Sequence, residues 1–299
     1  MQEIVYNIPG AALYFTRCVT GRETTAELAH VDGRVTELEV PALVEGGVPV
    51  AAIGRKALLG NGRLLKVTLP GGIRKIDDWA FAGCRRLREV YLPEAKLGKG
   101  VFQDCPALRG LYLARDISKD VAALLAEAAR HDVGYLLELE RAGTAEWLRL
   151  WDAWLTRFLE QSDQEGYSGQ VPCGEEDFGT SDVGAYESGR RREKAERSLL
   201  RLMHKEGLED ALRERLTAYI AEHTAGSEKG GEAWQMLLQK HPEEQEWYAA
   251  FAQAGGVTPA NRDSILASIP EEYAEMKAYF IRLGQEGMQQ GGLLAGLAL

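Results

Sequence analysis

The sequence has little of what metal enzymes and disulfide-linked proteins usually contain. Its 299 residues include only four cysteines, Cys18, Cys84, Cys105 and Cys173, with no CxxC pair and no Cys/His cluster. A structural zinc site and a disulfide framework are therefore not expected. The five histidines form no HExxH or other metal spacing, and the nucleophile motif GxSxG is absent. We predict no catalytic residue, no metal site and no cofactor.

Long apolar runs are also missing. No stretch reaches the roughly 18 residues that a membrane-spanning helix needs. The N-terminus, MQEIVYNIPGAALYFTRCV, has an early Glu3 and no basic segment before an apolar one, unlike a secretory leader. We expect a cytoplasmic protein with free thiols; secretion or surface attachment is the alternative.

The charge is unevenly distributed along the chain. The formal net charge is −10, but residues 1–115 carry +4 and residues 116–299 carry −14. This asymmetry, together with the length, indicates two domains. Because phosphate contacts supply most of the affinity for nucleic acid, an acidic chain of this kind is not expected to bind it. A membrane is not expected as a partner either.

A repeat occupies residues 53–113. Its three units read IGRKALLGNGRLLKVTLP, IRKIDDWAFAGCRRLREVYLP and LGKGVFQDCPALRGLYL, with equivalent positions 23 and then 21 residues apart. Each unit ends in a short strand, VTL, VYL or LYL, with alternating side chains. One strand cannot bury its apolar face alone, so the units are predicted to stack into a parallel sheet. The structural repeat positions are Asn61, Phe81, Cys84, Leu87, Phe102, Cys105 and Leu108.

These units resemble the BspA-like leucine-rich repeats of bacteria, whose pattern runs roughly Ile-Gly-x-x-Ala-Phe-x-x-Cys-x-x-Leu-x-x-Ile-x-Leu-Pro. The resemblance covers about residues 35–115 and implies a leucine-rich-repeat solenoid. Residues before about 35 then correspond to an N-terminal β cap, so the domain is expected to span 1–115. The family is known mainly for binding surfaces, and many of its members are secreted or surface-attached. The resemblance therefore implies an interaction role.

After Leu113 the apolar period changes from two residues to 3.6, which is typical of helices. Residues 116–160 are predicted to form helices that pack on the repeats or cap them. Residues 161–187 are acidic and rich in glycine, which predicts a loop or linker. Residues 188–299 are predicted to be an all-helical domain built as an α-hairpin array, with one helix starting at Thr258 and Pro259. The expected fold class is α+β: a short parallel-β solenoid followed by an all-α domain.

An aromatic stripe lies on the second of these helices. Trp147, Trp151, Trp154 and Phe158 are spaced four, three and four residues apart, which places them on one helix face. The stripe is interpreted as a core-facing surface, with an exposed partner-binding face as the alternative.

The repeats carry a concentration of basic residues. Residues 54–88 contain nine lysines and arginines against two acids. Because repeats stack, Arg63 is expected next to Arg86, and Lys66 next to Glu89, with other basic residues flanking them. Three interpretations of these basic residues remain open. They are ordinary solvated surface charge, a binding surface for an acidic partner, or a binding surface for the chain's own segment 161–187. The candidate partner-binding residues are Arg63, Lys66, Arg74, Lys75, Arg85, Arg86 and Arg88.

Three functions remain open from the sequence. The leading hypothesis is a non-enzymatic protein–protein interaction module that binds through the repeat face and also, in one version, the helical domain. The first alternative is a metal-dependent enzyme or metal-binding protein that uses the acidic loop 161–187 with His204 or His223. The second alternative is a cell-surface adhesin.

Overall fold

The computed structural model of the chain describes residues 3–167, 182–226 and 231–282. The chain divides into two compact units, Met1–Trp151 and Asp152–Leu299. Among the described residues, every strand lies in the first unit, and the second unit contains only helices and turns. The predicted α+β class is confirmed.

The described strands all lie before the first helix. They are β1 (Glu3–Ile8), β2 (Ala11–Thr20), β3 (Glu23–Gly33), β4 (Glu37–Glu39), β5 (Leu43–Val44), β6 (Val48–Ile53), β7 (Lys66–Thr68), β8 (Lys75–Ile76), β9 (Glu89–Leu92), β10 (Lys96–Leu97) and β11 (Gly110–Leu113).

The helices follow. They are α1 (Lys119–Arg130), α2 (Ala145–Glu160), α3 (Val183–Met203), α4 (Asp210–Glu222), α5 (Glu232–Lys240), α6 (Gln245–Gln253), α7 (Arg262–Ser268) and α8 (274–282).

The solenoid has two sheets, and each coil of the chain contributes to both of them. Sheet A has the order β1-β2-β3-β6-β8-β10, in which β1, β2 and β3 form an antiparallel cap and β3, β6, β8 and β10 run parallel. The short strand β5 pairs with β6 in the antiparallel direction. Sheet B has the order β11-β9-β7-β4, and all of its strands are parallel. The β cap was expected from β1 and β2, but the longest strand, β3, was not predicted.

The core of the solenoid lies between the sheets, where alternate strand residues point inward. Val67, Val90 and Leu111 come from equivalent positions of successive coils, and all three are fully buried. Leu58 takes the place that phenylalanine fills in the next two coils, as the repeat predicted. The phenylalanines themselves, Phe81 and Phe102, stack with ring centroids 5.3 Å apart.

Two backbone positions of every coil adopt the left-handed conformation. Lys56, Trp79 and Gly100 form one column, with φ of 61°, 55° and 59°. Gly60, Gly83 and Asp104 form the other, with φ of 70°, 71° and 55°. Both columns keep the 23- and 21-residue spacing, so the turns of the three coils share one geometry even where the residue type differs.

The end of the solenoid is covered at sheet B. Helix α1 begins after Ser118, whose hydroxyl accepts a hydrogen bond from the Val121 amide (3.2 Å), and it packs on β11. The indole of Trp151 donates to the Leu124 carbonyl of α1 at 3.0 Å. Trp147 donates to Leu136 at the same distance. Both tryptophans are fully buried, which confirms their interpretation as core residues.

The second unit is organised around α3, which packs on α4, α5 and α6. Its aromatic core contains Trp234, Tyr248, Phe251 and Phe280, with Trp234 in ring contact with the other three. Phe158, at the end of the aromatic stripe, is also buried, under the guanidinium of Arg197.

Two predicted boundaries in the helical part are wrong. The loop expected over 161–187 ends earlier, because Asp182 caps α3, which begins at Val183. The helix expected from Thr258 and Pro259 begins only at Arg262. Thr258 and Asn261 instead exchange two hydrogen bonds that close a turn before it.

Candidate partner-binding surface

The outer face of sheet B presents one row of charged residues across the coils. The strand register places Lys66 between Glu37 and Glu89, and Glu89 beside Gly110. The predicted neighbourhood of Lys66 and Glu89 is therefore confirmed. Opposite charges on adjacent strands stabilise a sheet modestly, although Lys66 forms no ion pair with either glutamate within the described residues.

A second row on this face is aromatic. The rings of Tyr91 and Tyr112 stack at 4.7 Å, with an angle of 16° between their planes. The Lys66 ammonium lies 4.8 Å from the centre of the Tyr91 ring, in a cation–π contact. Gly110 makes room for this arrangement, because a Cβ there would lie 2.6 Å from the Tyr112 ring.

Both tyrosines have raised pKa values, and Tyr91 donates a hydrogen bond to Glu89. Burial raises the pKa of Tyr91, and the Glu89 carboxylate, 3.2 Å from its hydroxyl, raises that pKa further. Burial and Glu89 also raise the pKa of Tyr112. The face therefore offers neutral phenols beside one lysine and several carboxylates.

Four arginines lie in the turns that lead into sheet B. Arg63 precedes β7, and Arg85, Arg86 and Arg88 precede β9. All four side chains are exposed. None of them forms an ion pair or side-chain hydrogen bond with the part of the chain that the structure describes. We call these four residues the arginine cluster.

Backbone hydrogen bonds place these two turns on top of each other. The Gly60 amide donates to the Ala82 carbonyl at 2.8 Å, and the Arg88 amide donates to Leu65 at the same distance. The turn that holds Arg63 therefore lies against the turn that holds Arg86, as the 23-residue spacing predicts. With neighbouring strands about 4.8 Å apart, the cluster concentrates positive charge without an internal counterion.

Two of the predicted binding residues lie elsewhere. Lys75 is the first residue of β8 in sheet A and Arg74 directly precedes it, so neither flanks the arginine cluster. Arg74 pairs with Glu23 at 2.9 Å, and Lys75 pairs with Asp77 at 2.6 Å. The hydrogen bond with Asp77 raises the pKa of Lys75. Sequence order alone could not assign them to a sheet, because each coil contributes to both.

Trp79 is a surface residue that the sequence reasoning did not single out. Its half-buried ring lies 4.7 Å from the Arg55 guanidinium and 5.6 Å from the Lys56 ammonium. Gly100 of the next coil leaves room for the indole, since a Cβ there would lie 2.8 Å from it. In the sequence, the 23- and 21-residue spacing of Lys56, Trp79 and Gly100 indicates that these three residues occupy equivalent positions of successive coils.

The small polar residue at the Asn/Cys position of each coil identifies the type of repeat. Asn61 accepts hydrogen bonds from the backbone amides of Arg63 and Leu64 in its own turn. The buried thiols of Cys84 and Cys105 donate to carbonyls of the preceding coil, at 3.2 and 3.1 Å. Leu87 and Leu108 follow three residues later and are buried. Parallel strands, a period of 21–23 residues and this polar position occur together in one repeat architecture.

The repeat segment is a leucine-rich-repeat solenoid. Its internal pattern agrees with the BspA-like type, including the Ala-Phe pair before cysteine in the second coil. Solenoids of this kind present extended surfaces to their partners.

Comparisons with known proteins give bacterial leucine-rich-repeat structures. No protein-family model matches the chain, and no curated protein does. A leucine-rich cell surface protein from Faecalibacterium prausnitzii is 21% identical, with 37% of this chain and 31% of that chain covered and a TM-score of 0.30. A leucine-rich-repeat protein of T. pallidum is 21% identical, with 33% of this chain and 61% of that chain covered and a TM-score of 0.26.

A leucine-rich-repeat protein from Bacteroides capillosus is 20% identical, covers 36% of this chain and 97% of that chain, and has a TM-score of 0.26. The chain thus spans about a third of the length of the F. prausnitzii protein. At these scores the strand register and the repeat positions, rather than the superposition, establish the fold.

The acidic segment was the candidate for metal binding. Glu175, Glu176 and Asp177, together with Cys173, lie outside the described residues. Of its described acids, Asp163 pairs with Lys194 at 2.7 Å. Within residues 3–167, 182–226 and 231–282, no group of three or more histidine, cysteine, aspartate or glutamate side chains could hold a metal ion.

The two histidines of the metal hypothesis lie in the helical unit. His223 is buried, with its Nδ1 atom 2.8 Å from the Tyr219 carbonyl and its ring stacked on Tyr219. His204 follows α3 as its C-cap.

None of the helices in the described segments is long and apolar enough to cross a membrane.

Proposed function

We propose that the protein is a non-enzymatic interaction module that binds an acidic protein partner through the arginine cluster, with Lys66 at its edge. The observation that carries this proposal is the set of four exposed guanidinium groups without internal counterions, on two stacked turns of a rigid solenoid. By contrast, Arg74 and Lys75 on sheet A are paired with Glu23 and Asp77.

Arginine suits this role for physical reasons. Its planar guanidinium recognises carboxylates with two parallel hydrogen bonds and is enriched at the centres of protein interfaces. Because the turns are held by the coil-to-coil hydrogen bonds, the backbone that carries the cluster needs little ordering on binding, and the entropic cost falls on the arginine side chains. A carboxylate-rich segment of a partner protein is the ligand that fits this charge.

The test is affinity capture from lysate of the native cell with full-length variants. The triple variant Arg63→Glu, Arg86→Glu and Arg88→Glu reverses the cluster. The matched control reverses three exposed basic residues of the same unit, Arg22, Lys119 and Arg149. We expect wild type and control to capture the same partner and the cluster variant to lose it. Equal capture by all three proteins would remove the cluster from the proposal.

We also propose that the protein acts in the cytoplasm. The described cysteines, Cys18, Cys84 and Cys105, are all free thiols, which fits a reducing compartment. Cell fractionation tests this proposal against the adhesin alternative. Recovery from the cell surface or the medium would favour the adhesin, and recovery only from the interior would favour the proposal.

A further inference from the structure

Sheet A ends at an uncovered strand. Its last member, β10, pairs with β8 on one side only. After β11 the chain enters α1, which packs on sheet B, so none of the described strands continues sheet A past β10. A cleft of about 710 Å³ lies here, between residues 94–99 and the two 3-10 turns, Gly134–Leu136 and Leu139–Arg141.

The edge of β10 offers backbone hydrogen bonds. The Lys96 amide donates to the Arg74 carbonyl at 2.9 Å, and the Gly98 amide donates to Ile76 at 2.8 Å, so these groups are used by β8. The alternation of a parallel ladder then turns the amide and carbonyl of Leu97 toward the cleft. Neither group has a partner among the described residues. Unpaired groups of this kind are a template for another strand.

The rows of side chains that run across sheet A also end at β10. Ile53, Ile76 and Leu97 are neighbours on successive parallel strands; the first two are fully buried, whereas Leu97 is only half-buried. On the opposite face, Lys75 is neutralised by Asp77, but the exposed Lys96 forms no ion pair within the described chain. One more strand with an apolar residue beside Leu97 and an acid beside Lys96 would complete both rows.

We propose that β10 binds an extended peptide segment of a partner protein, added as a further strand of sheet A, in which acidic and apolar residues alternate. The backbone of Leu97 supplies the ladder hydrogen bonds. Lys96, with Lys99 at the same cleft wall, selects acidic side chains, and Leu97 selects an apolar one. The opposite wall also carries acids: Glu138 is paired with Arg141 and Asp132 accepts from the Gly100 amide, whereas the exposed Glu140 forms no ion pair within the described chain. Lys96 and Lys99 must outweigh Glu140 for an acidic peptide to bind.

The site is separate from the arginine cluster, which lies in the turns before sheet B. The proposal therefore stands or falls independently of the function proposed above.

The experiment measures binding of fluorescein-labelled heptapeptides to the full-length chain by fluorescence anisotropy. The probe alternates glutamate and leucine, and a control peptide has lysine in place of each glutamate. Two further peptides are N-methylated, one at every glutamate amide and the other at every leucine amide. Only one of these two sets faces β10 in a strand, so one isomer should bind like the probe and the other about tenfold or more weakly.

The protein variants test the lysine. Lys96→Glu is expected to lower the affinity for the probe about tenfold. Lys119→Glu changes an exposed lysine outside the cleft and should leave that affinity unchanged. Because the arginine cluster is itself proposed to bind acidic segments, the N-methylation and Lys96→Glu comparisons are repeated in the triple-reversal background, where binding that remains belongs to β10. Absence of probe binding, equal affinity of the two N-methylated isomers, or an unaffected Lys96→Glu variant would each overturn the proposal.

Discussion

Arg201 is a fully buried charge in the helical unit, and its surroundings explain how α3 tolerates it. Its guanidinium binds both carboxylate oxygens of Asp152, at 2.6 and 3.1 Å, and also donates to the carbonyls of His204 and Glu206. Such a network compensates for the cost of removing an ion from water. Removal of one partner therefore costs more than the net value of the pair.

The first prediction concerns this pair. Asp152→Ala leaves Arg201 buried without its carboxylate and should lower the free energy of unfolding by about 3–5 kcal/mol. Urea denaturation measures the change. Asp210→Ala is the control, because its pair with Arg213 is exposed and should contribute less than about 1 kcal/mol. Equal effects of the two substitutions would contradict this explanation of Arg201.

The second prediction concerns the thiols of the repeat. The neighbouring Cys84 thiol and burial both raise the pKa of Cys105, so its reactive thiolate is disfavoured. Both side chains are also inaccessible in the stack. Peptide-resolved mass spectrometry after mild alkylation should find Cys18, which is half-buried, labelled before Cys84 and Cys105. Labelling of all three at one rate in the native protein would argue against a closed stack.

At the scale of the element, each coil depends on its two left-handed positions. Gly83 has φ of 71° and lies beside Gly60, but a Cβ there would meet only ordinary contacts, 3.5 Å from the Gly60 Cα. Its requirement for glycine is therefore conformational and not steric. Asp104 occupies the same position of the next coil with φ of 55°.

This yields a matched pair of substitutions. Gly83→Ala should destabilise the protein by about 1 kcal/mol, because alanine is strained in the left-handed region. Asp104→Gly should leave stability unchanged or raise it slightly, since aspartate tolerates that region less well than glycine. Thermal unfolding compares the two. A stabilising Gly83→Ala substitution would show that this column does not govern the turn.

The elements with a repeated pattern were predictable, and those without one were not. The coil strands and Arg63's position beside Arg86 follow from the spacing alone. Strand β3 was missed because its residues ETTAELAHVDG include good helix formers, and only pairing with β2 and β6 fixes it as a strand. The start of α7 was misplaced because the side chain of Asn261 also bonds Ala225 and Gly256, which locks the preceding turn.

At the scale of the whole molecule, the charge distribution favours a binding role for the solenoid. The sequence pI is about 5.2, yet residues 1–115 carry a net charge of +4. The exposed arginine cluster should therefore bind its partner with a strong salt dependence. Affinity should fall steeply between about 0.05 M and about 0.5 M salt, where screening shortens from roughly 14 Å to roughly 4 Å. Salt-independent capture would indicate an apolar contact instead.

The most direct test of the proposed function is hydrogen–deuterium exchange of the full-length chain, alone and with the captured partner. The arginine cluster lies on the turns 60–65 and 83–88, so slower exchange on binding is expected there and in β7 and β9. Protection restricted to the helices after Asp152, with these turns unchanged, would contradict the claim that the protein binds its partner through the solenoid.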